Sequence, residues 1–362
     1  MATEEKKFTN ELEQQQKSIE KAIDQIFLLN NSTLARDFGC WSAESIKSFQ
    51  LITQRGGKRL RGVLLVEAYK MFGGKNLQLA TRAAAAIELL HAYLLIIDDF
   101  CDQSSQRRGG ESAHVYLSNF HRSQNLNGDS DHFGASIAIN AAIYGMHLAS
   151  NEILSLDTKS STIIKLHQSI NKNFLITAHG QINDIFNESL TKVDEKMIRD
   201  VLSWKTGYYT FLNPLEVGSI LAEAPESEYV KLADYALPLG VAFQLQDDII
   251  GTFGNESETG KSNMDDVREG KMTLLYHTAL ELSSAKDRAF LKSCLGDKYL
   301  TLDSHEKIKE IITKCGALQE VKEEYKVSVA KAIKALKNIK VKGEDSKLFL
   351  KSLALYIENR SA

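Results

Sequence analysis

The chain has 362 residues, which allows one large domain or two smaller ones and a sizeable hydrophobic core. Its 44 Lys and Arg residues against 47 Asp and Glu residues leave a net charge of −3. This balance excludes the overall basic field on which non-specific nucleic-acid binding depends. The composition, 43% hydrophobic and 25% charged, excludes a disordered or fibrous chain, and the presence of only 3 prolines favours helices.

The cysteines and the N-terminal residues bear on the cellular compartment. The 4 cysteines contain no C-x-x-C pair, so they predict neither a disulfide framework nor a zinc site and fit a reducing compartment. Residues 1–18 are charged and rich in glutamine, without the apolar core of a signal peptide. The apolar run at 92–97 is far shorter than the ~18 residues that cross a bilayer. We therefore expect a cytoplasmic protein without a membrane span.

Apolar residues recur at helical spacing along the chain, and no long segment alternates as a strand would. The pattern predicts an all-α fold, a bundle of about a dozen helices forming a single domain over 1–362. Residues 1–30 form an N-terminal helical extension in this interpretation. The segment 77–102 lacks Gly and Pro and predicts one long buried helix. A polar loop is predicted at 121–134, and further helices at 162–188, 194–210, 214–223, 228–252, 271–283 and in the C-terminal third.

Two apolar helices are predicted to end in acidic residues. The first ends at Asp98, Asp99 and Asp102, and the second at Asp247 and Asp248. Asp98 and Asp102 lie one helical turn apart on one face, where they repel each other and oppose the helix dipole. A solvated helix end is the simpler interpretation of either cluster alone. Two such ends in one bundle indicate acids that face each other across a cavity and hold Mg²⁺ with a phosphate ester.

Basic residues stand near these acids. Lys58 and Arg61 follow the flexible pair Gly56-Gly57, and Arg107-Arg108 follow the first acidic cluster. Arginine matches phosphate oxygens with two parallel hydrogen bonds, so we interpret both groups as diphosphate clamps rather than solvated faces. Three further cations are candidates, with Lys271 expected to begin a helix: Lys205, Lys261 and Lys271. His91, seven residues before Asp98, is either a core residue or a hydrogen-bond donor to a diphosphate.

Together these motifs resemble the trans-isoprenyl diphosphate synthases, the family of farnesyl and geranylgeranyl diphosphate synthases. The matching segments lie within the catalytic region 56–275 in the family's order and spacing. They are GGKRLR (56–61), ELLHAYLLIIDDFCDQSSQRRG (88–109), GQIND (180–184), KTG (205–207) and FQLQDDIIGTFG with TGKSNMDDVREGK (243–271). The resemblance implies a prenyltransferase with the all-α isoprenoid synthase fold. It also implies a homodimer whose substrates are isopentenyl diphosphate and dimethylallyl, geranyl or farnesyl diphosphate.

The resemblance also implies a role for each matching residue. Mg²⁺, roughly three ions per active site and replaceable by Mn²⁺, would be held by Asp98, Asp102 and Asp247. Supporting carboxylates would be Asp99, Asp248 and Asp266. The allylic diphosphate would bind Arg107, Lys205, Lys261 and Lys271. Isopentenyl diphosphate would bind Lys58, Arg61, His91 and Arg108. The allylic carbocation would be stabilised by Thr206, Gln244 and the Lys205 carbonyl, while closure of the loop near 255–271 excludes water.

Product length is expected to depend on the helix that carries the first acidic motif. Tyr93 and Leu94 stand five and four residues before Asp98, and the acidic motif has no insertion. By resemblance, an aromatic floor at this place is typical of geranylgeranyl (C20) synthases, with farnesyl (C15) as the alternative. The helical wheel places Tyr93 ~140° from Asp98, so the floor is implied by resemblance alone. Two other classes remain open: a terpene cyclase, which needs no second diphosphate clamp, and a non-catalytic subunit, in which loss of acids is expected.

Overall fold

The computed structural model describes residues 2–32, 34–190, 192–254 and 262–359, with the side chains of the first segment described from residue 6. These residues are almost entirely helical, so the predicted all-α fold is confirmed. They divide into two compact units, Met1–Gln168 with Val217–Ala224 and Ser169–Glu216 with Pro225–Ala362. That residues 1–362 form one domain stays a prediction.

The first unit consists of helices and one short antiparallel hairpin. Its helices are α1 (Ala2–Asn31), α2 (Leu34–Phe38), α3 (Cys40–Gln54), α4 (Leu60–Met71), α5 (Leu77–Cys101), α6 (Ala113–Ser123) and α7 (Ser130–Leu154). The hairpin pairs β1 (Gln106–Arg107) with β2 (Gly110–Glu111), and Arg107 stands opposite Gly110. This short hairpin follows α5 directly and carries both predicted arginines.

Helices also make up the second unit, to which α8 contributes most of its residues and α10 only its first four. The elements up to the second acidic motif are α8 (Ser160–Ser189), α9 (Glu195–Val201), a π-helix (Leu202–Leu212), α10 (Asn213–Leu221), α11 (Glu226–Tyr229), a 3-10 turn (Val230–Leu232) and α12 (Ala233–Phe253). The remaining elements are α13 (Asp265–Glu269), α14 (Leu274–Leu282), α15 (Ala285–Cys294), α16 (Leu302–Lys314), α17 (Ala317–Ala335), a 3-10 turn (Leu336–Asn338) and α18 (Glu344–Glu358).

Helix α5 is the buried centre of the first unit. The Asn76 side chain caps it by accepting a hydrogen bond from the Leu79 backbone N–H at 3.1 Å. The four alanines 83–86 are fully buried, and α5 packs against α1, α4 and α7. By length and composition α5 could cross a membrane, but 72% of its most apolar window is buried in the protein. It therefore has the environment of a core helix, as the sequence predicts for 77–102.

The core of the second unit forms around α12, which packs against α17 and the π-helix. The π-helix and α12 approach each other at two glycines. A Cβ atom on Gly240 would lie 2.5 Å from the Cα of Gly207, too close for any side chain. The sequence predicts an ordinary helix over 194–210, and the π-helix replaces its second half. π-Helical turns are rare and occur frequently at functional sites, and this one contains Lys205 and Thr206.

Two local predictions are wrong. The polar loop predicted at 121–134 is shorter, because α6 continues to Ser123 and Asp129 caps α7 by accepting from the N–H groups of Asp131 and His132. Lys271 does not begin a helix. It follows Gly270, whose positive φ of 82° ends α13, and the next helix begins at Leu274.

Candidate active site

The first acidic motif lies at the C-terminal end of α5, where Arg107 of the hairpin binds it. Arg107 Nε donates to Asp99 Oδ1 at 2.7 Å, and its Nη2 lies 3.2 Å from Asp98 Oδ2. The Asp99 side chain is fully buried, whereas that of Asp98 is 25% exposed. Asp102 is the C-terminal cap of α5 and is partly exposed. Asp98 and Asp102 thus keep the access that a ligand requires, and Asp99 anchors the hairpin arginine.

The charge of Arg107 is secured by these acids. Burial by itself lowers the pKa of Arg107, but the hydrogen bonds to Asp99 and the charges of Asp98 and Asp102 more than offset that effect and raise the pKa above its ordinary value. A buried charge is stable only when it is paired and hydrogen-bonded. Arg107 therefore fixes one side of the hairpin to α5 as a permanent cation.

The second hairpin arginine faces a different set of groups. Arg108 Nη1 donates to the Gly56 carbonyl at 2.5 Å, and its Nη2 lies 3.3 Å from His91 Nε2. Arginine can only donate, so His91 Nε2 accepts, and the neutral ring carries its proton on Nδ1. The structure thus brings together His91 and Arg108, which the resemblance assigns to one substrate.

Positive charge is crowded around this pair. Burial lowers the pKa of His91 well below its usual 6.5, and the charges of Arg61 and Arg108 lower it further. Burial likewise lowers the pKa of Arg108 to about 10, with further contributions from Arg59 and Arg61 that the nearby Glu88 carboxylate only partly offsets. Crowded cations of this kind are stabilised by a bound anion, because an anion removes their mutual repulsion.

The GGKRLR segment leads into α4. Lys58 is exposed and Arg61 is half-buried. Arg59 has no role predicted from the sequence. It is buried in a left-handed conformation (φ 47°), and its guanidinium nitrogens lie 3.8 Å from Glu88 and 3.6 Å from Glu20. Glu88 also accepts from the Gly62 N–H at 2.9 Å. Arg59 therefore anchors the GGKRLR segment through these two carboxylates. In the sequence, only its position inside a basic motif indicates a functional role.

The second acidic motif, on α12, is connected by hydrogen bonds to the π-helix. Thr206 Oγ1 donates to Gln244 Oε1 at 2.8 Å, and Gln244 Nε2 donates to Asp248 Oδ1 at 2.9 Å. These two bonds fix the orientation of the Gln244 amide. The structure thus brings together Thr206, Gln244 and Asp248, which the sequence assigns to one site. Asp247, the neighbouring predicted ligand, is only partly buried.

Negative charge is crowded around Asp248. Burial raises the pKa of this carboxyl well above its usual value, and the charge of Asp266 raises it further, with smaller contributions from Asp247 and Asp184. A Cβ on Gly251, three residues after Asp248, would lie 2.8 Å from Asp266 Oδ2. The Asp266 carboxylate therefore occupies the space next to that position.

The predicted lysines of the second unit have acidic partners. Lys205 Nζ lies 2.6 Å from Asp184 Oδ2, and Lys271 Nζ lies 2.9 Å from Glu269 Oε2. Asp184 is the last residue of the GQIND segment (180–184). No role is predicted for it from the sequence, although its place in this motif indicates that it belongs to the site. Lys261 lies outside the described residues, as do the other residues of 255–261 in the predicted closing loop, so the closure stays a prediction.

The predicted chain-length residues retain access to solvent. Tyr93 and Leu94 are half-buried, whereas Ala92, Leu95 and Ile96 beside them on α5 are buried. Burial raises the pKa of Tyr93, so its hydroxyl stays neutral at physiological pH. Both side chains therefore remain accessible to a ligand beside α5.

The carboxylates of the two acidic motifs are suitable ligands for a hard divalent cation. The repulsion that raises the pKa of Asp248 is the kind that a cation relieves, and oxygen donors suit Mg²⁺. Within the described ranges no three His, Cys, Asp or Glu side chains are grouped as a ready metal site. Mg²⁺ is usually held by one or two carboxylates together with water and substrate phosphates.

Comparison with known proteins places these features in context. A model of the polyprenyl synthetase family matches residues 43–314. The chain is 33% identical over 313 residues to the geranylgeranyl diphosphate synthase of Saccharolobus solfataricus, which covers 86% of this chain and 89% of that protein. It is 28% identical over 295 residues to the farnesyl pyrophosphate synthase of Saccharomyces cerevisiae, covering 77% of this chain and 78% of the relative.

A solved structure is similar throughout the fold. The geranylgeranyl pyrophosphate synthase of Corynebacterium glutamicum, complexed with isoprenyl diphosphate and magnesium, superposes with a TM-score of 0.91 at 27% identity. The match covers 96% of this chain and 99% of that one.

Proposed function

The chain belongs to the polyprenyl synthetase family and is a prenyltransferase that makes short-chain prenyl diphosphates, and on that premise we propose that it is a geranylgeranyl diphosphate synthase. It would condense isopentenyl diphosphate, head to tail, with dimethylallyl, geranyl and farnesyl diphosphate in turn. Two of its features support a two-diphosphate reaction: paired carboxylates and a separate, crowded basic cluster.

The observation that carries the proposal is the crowded charge at Arg108. Burial, followed by the charges of Arg59 and Arg61, lowers the pKa of the Arg108 guanidinium to about 10, so this buried cation lies among like charges. A diphosphate supplies several anionic oxygens that match arginine geometry. We assign isopentenyl diphosphate to this cluster, formed by Lys58, Arg61, His91 and Arg108. A terpene cyclase, which ionises a single diphosphate, has no use for such a second site.

The allylic diphosphate belongs with the acidic motifs in this proposal. Its metal ions would be held by Asp98, Asp102 and Asp247, and its oxygens by Arg107, Lys205, Lys261 and Lys271. Mg²⁺, when bound, would neutralise the leaving diphosphate. Lys205 and Lys271 already lie beside Asp184 and Glu269, so their side chains are held in place before substrate arrives. Preorganised charge of this kind lowers a barrier without reorganisation during the reaction.

The allylic carbocation would be protected by oxygen dipoles of the second unit. Thr206 and Asp248 fix the Gln244 amide, and its oxygen keeps a second lone pair for the cation. The Lys205 carbonyl, in the π-helix, is the other candidate oxygen. The isopentenyl double bond attacks the cation, and the released diphosphate takes the proton that is lost. Exclusion of water prevents quenching of the cation.

A C20 product is proposed from the residues before the first aspartate. Tyr93 is half-buried on α5, whereas Ala92 and Ile96 are buried, so its ring can meet the end of a growing chain. The Saccharolobus solfataricus relative is a geranylgeranyl diphosphate synthase, whereas the yeast relative is a farnesyl pyrophosphate synthase. The resemblance of the Tyr93 region to the C20 pattern supports the geranylgeranyl product.

A homodimer in the cytoplasm is also part of the proposal. Along α8 of the second unit an apolar stripe is exposed, formed by Leu175 (65%), Ile182 (50%) and Phe186 (63%). Exposed apolar surface of this extent usually marks a protein interface. Size-exclusion chromatography with light scattering should give about twice the chain mass of 40.4 kDa. A monomer at micromolar concentration would contradict the dimer without affecting the assigned chemistry.

The test of the function is product analysis. Purified protein is incubated with Mg²⁺, labelled isopentenyl diphosphate and each allylic primer separately, and the dephosphorylated products are separated by chromatography. A single C20 alcohol from all three primers supports the proposal. C15 or longer alcohols would retain the enzyme class and refute the product length. No condensation with any primer would favour a non-catalytic subunit, and a cyclic hydrocarbon from farnesyl diphosphate alone would establish a cyclase.

A further inference from the structure

Two arginines connect the basic segments of the first unit in a reciprocal way. Arg108 of the hairpin donates to the Gly56 carbonyl of the segment before α4. Arg55, at the start of that segment, donates through Nη1 to the Glu111 carbonyl of the hairpin. Each segment therefore sends one guanidinium to a backbone carbonyl of the other.

A glycine lies beneath each of these guanidinium groups. A Cβ on Gly57 would lie 3.0 Å from Arg108 Cζ, and a Cβ on Gly110 would lie 2.6 Å from Arg55 Cζ. Both arginines thus lie close against the opposing backbone, at places that a side chain would obstruct. We call this arrangement the arginine clasp, made of Arg55, Gly57, Arg108 and Gly110 with the carbonyls of Gly56 and Glu111.

We propose that Arg55 is a positioning residue for isopentenyl diphosphate, acting through the clasp on Arg108. The inference rests on the proposed function, which assigns Arg108 to that substrate. Arg55 touches neither acidic motif and belongs to no group assigned to a diphosphate. Its bond to Glu111 fixes the strand β2, and the turn before β2 carries Arg108 in a left-handed conformation (φ 53°).

The opposite side of the hairpin is fixed independently. Arg107 is bound to Asp98 and Asp99 of α5, so loosening the clasp leaves the Arg107 contacts in place. Loss of Arg55 is therefore expected to affect the substrate at Arg108 and to spare the allylic substrate. This difference separates a positioning role from general destabilisation.

The experiment compares steady-state constants for both substrates in Arg55→Gln, Gly110→Ala and Arg108→Gln. Arg55→Gln should raise KM for isopentenyl diphosphate about fivefold, the effect of one net hydrogen bond, while kcat and KM for farnesyl diphosphate change less than about twofold. Gly110→Ala should raise the same KM by a similar factor, because the new methyl group displaces the Arg55 side chain. The double variant with Arg55→Gln and Gly110→Ala should show no higher KM than either single variant. Arg55→Lys should give an intermediate KM, because lysine keeps the charge but not the planar fork.

Arg36→Gln is the matched control, since Arg36 is an exposed arginine paired with its neighbour Asp37. It should leave all constants unchanged. An unchanged KM in Arg55→Gln, with a raised KM in Arg108→Gln, would overturn the clasp and leave the proposed function intact. An unchanged KM in Arg108→Gln would overturn the assignment of Arg108 and the clasp with it. Equal losses for both substrates with a lower melting temperature would show a structural role only and refute the inference.

Discussion

Acidification should destabilise this protein through His91. The ring is 6% exposed, and its burial, followed by the charges of Arg61 and Arg108, lowers its pKa well below 6.5. In the unfolded chain the ring is solvated and regains a pKa of ~6.5. Below that pH the unfolded chain takes up a proton that the folded protein does not. Because the unfolded state then binds more protons, the free energy of unfolding falls as the pH falls.

The size of the effect follows from this linkage. At pH 5.5 about nine tenths of the unfolded rings are protonated, whereas the lowered pKa of the buried ring disfavours its protonation. Between pH 7.5 and pH 5.5 His91 should therefore remove roughly 1 kcal/mol of stability. The loss continues until the pH reaches the lowered pKa of the folded protein. Above pH 7 the contribution of His91 is constant.

Equilibrium urea unfolding at pH 7.5 and 5.5 measures this loss in the wild type and in His91→Gln. Glutamine keeps an oxygen that accepts from Arg108 but does not titrate. The variant should lose roughly 1 kcal/mol less than the wild type over this interval. His132→Gln, which alters an exposed histidine, should behave as the wild type does. Equal losses in the wild type and His91→Gln would refute the neutral, buried state of the ring.

Three further outcomes are expected. Asp98→Ala should lower kcat by about 10³-fold with an unchanged circular dichroism spectrum, because it removes a proposed Mg²⁺ ligand. The control Asp131→Ala, at an exposed aspartate, should not lower kcat. Near-normal activity of Asp98→Ala would contradict the metal assignment. Tyr93→Ala should shift the chromatographed products beyond C20, and an unaltered C20 product would exclude Tyr93 as the floor. Gly240→Ala should lower stability in urea by about 2 kcal/mol, since its Cβ would meet Gly207 at 2.5 Å, and wild-type stability would contradict this close packing.

Much of the fold and of the candidate site could be predicted from the sequence because the signals are local. The Ala-rich segment 77–101 has no helix breaker, and the observed α5 (Leu77–Cys101) agrees with the prediction to within one residue. The family resemblance of the motifs assigns His91 with Arg108, and Thr206 with Gln244, to shared roles, and the structure brings each pair into hydrogen-bonding contact. The loop at 121–134 was overestimated because polar composition does not reveal that Asp129 caps a helix.

Tertiary structure alone decided the features that depend on distant residues. Nothing local distinguishes Arg55 or Arg59 from the neighbouring cations, and their partners Glu111 and Glu88 lie 56 and 29 positions away in the chain. The π-helix likewise depends on packing, because it brings Gly207 against Gly240 of another helix. Local sequence determines helices and the types of charged group through intrinsic propensity and periodicity. Which charges lie close enough to shift a pKa or to hold a loop is decided by long-range contacts that form only in the folded chain.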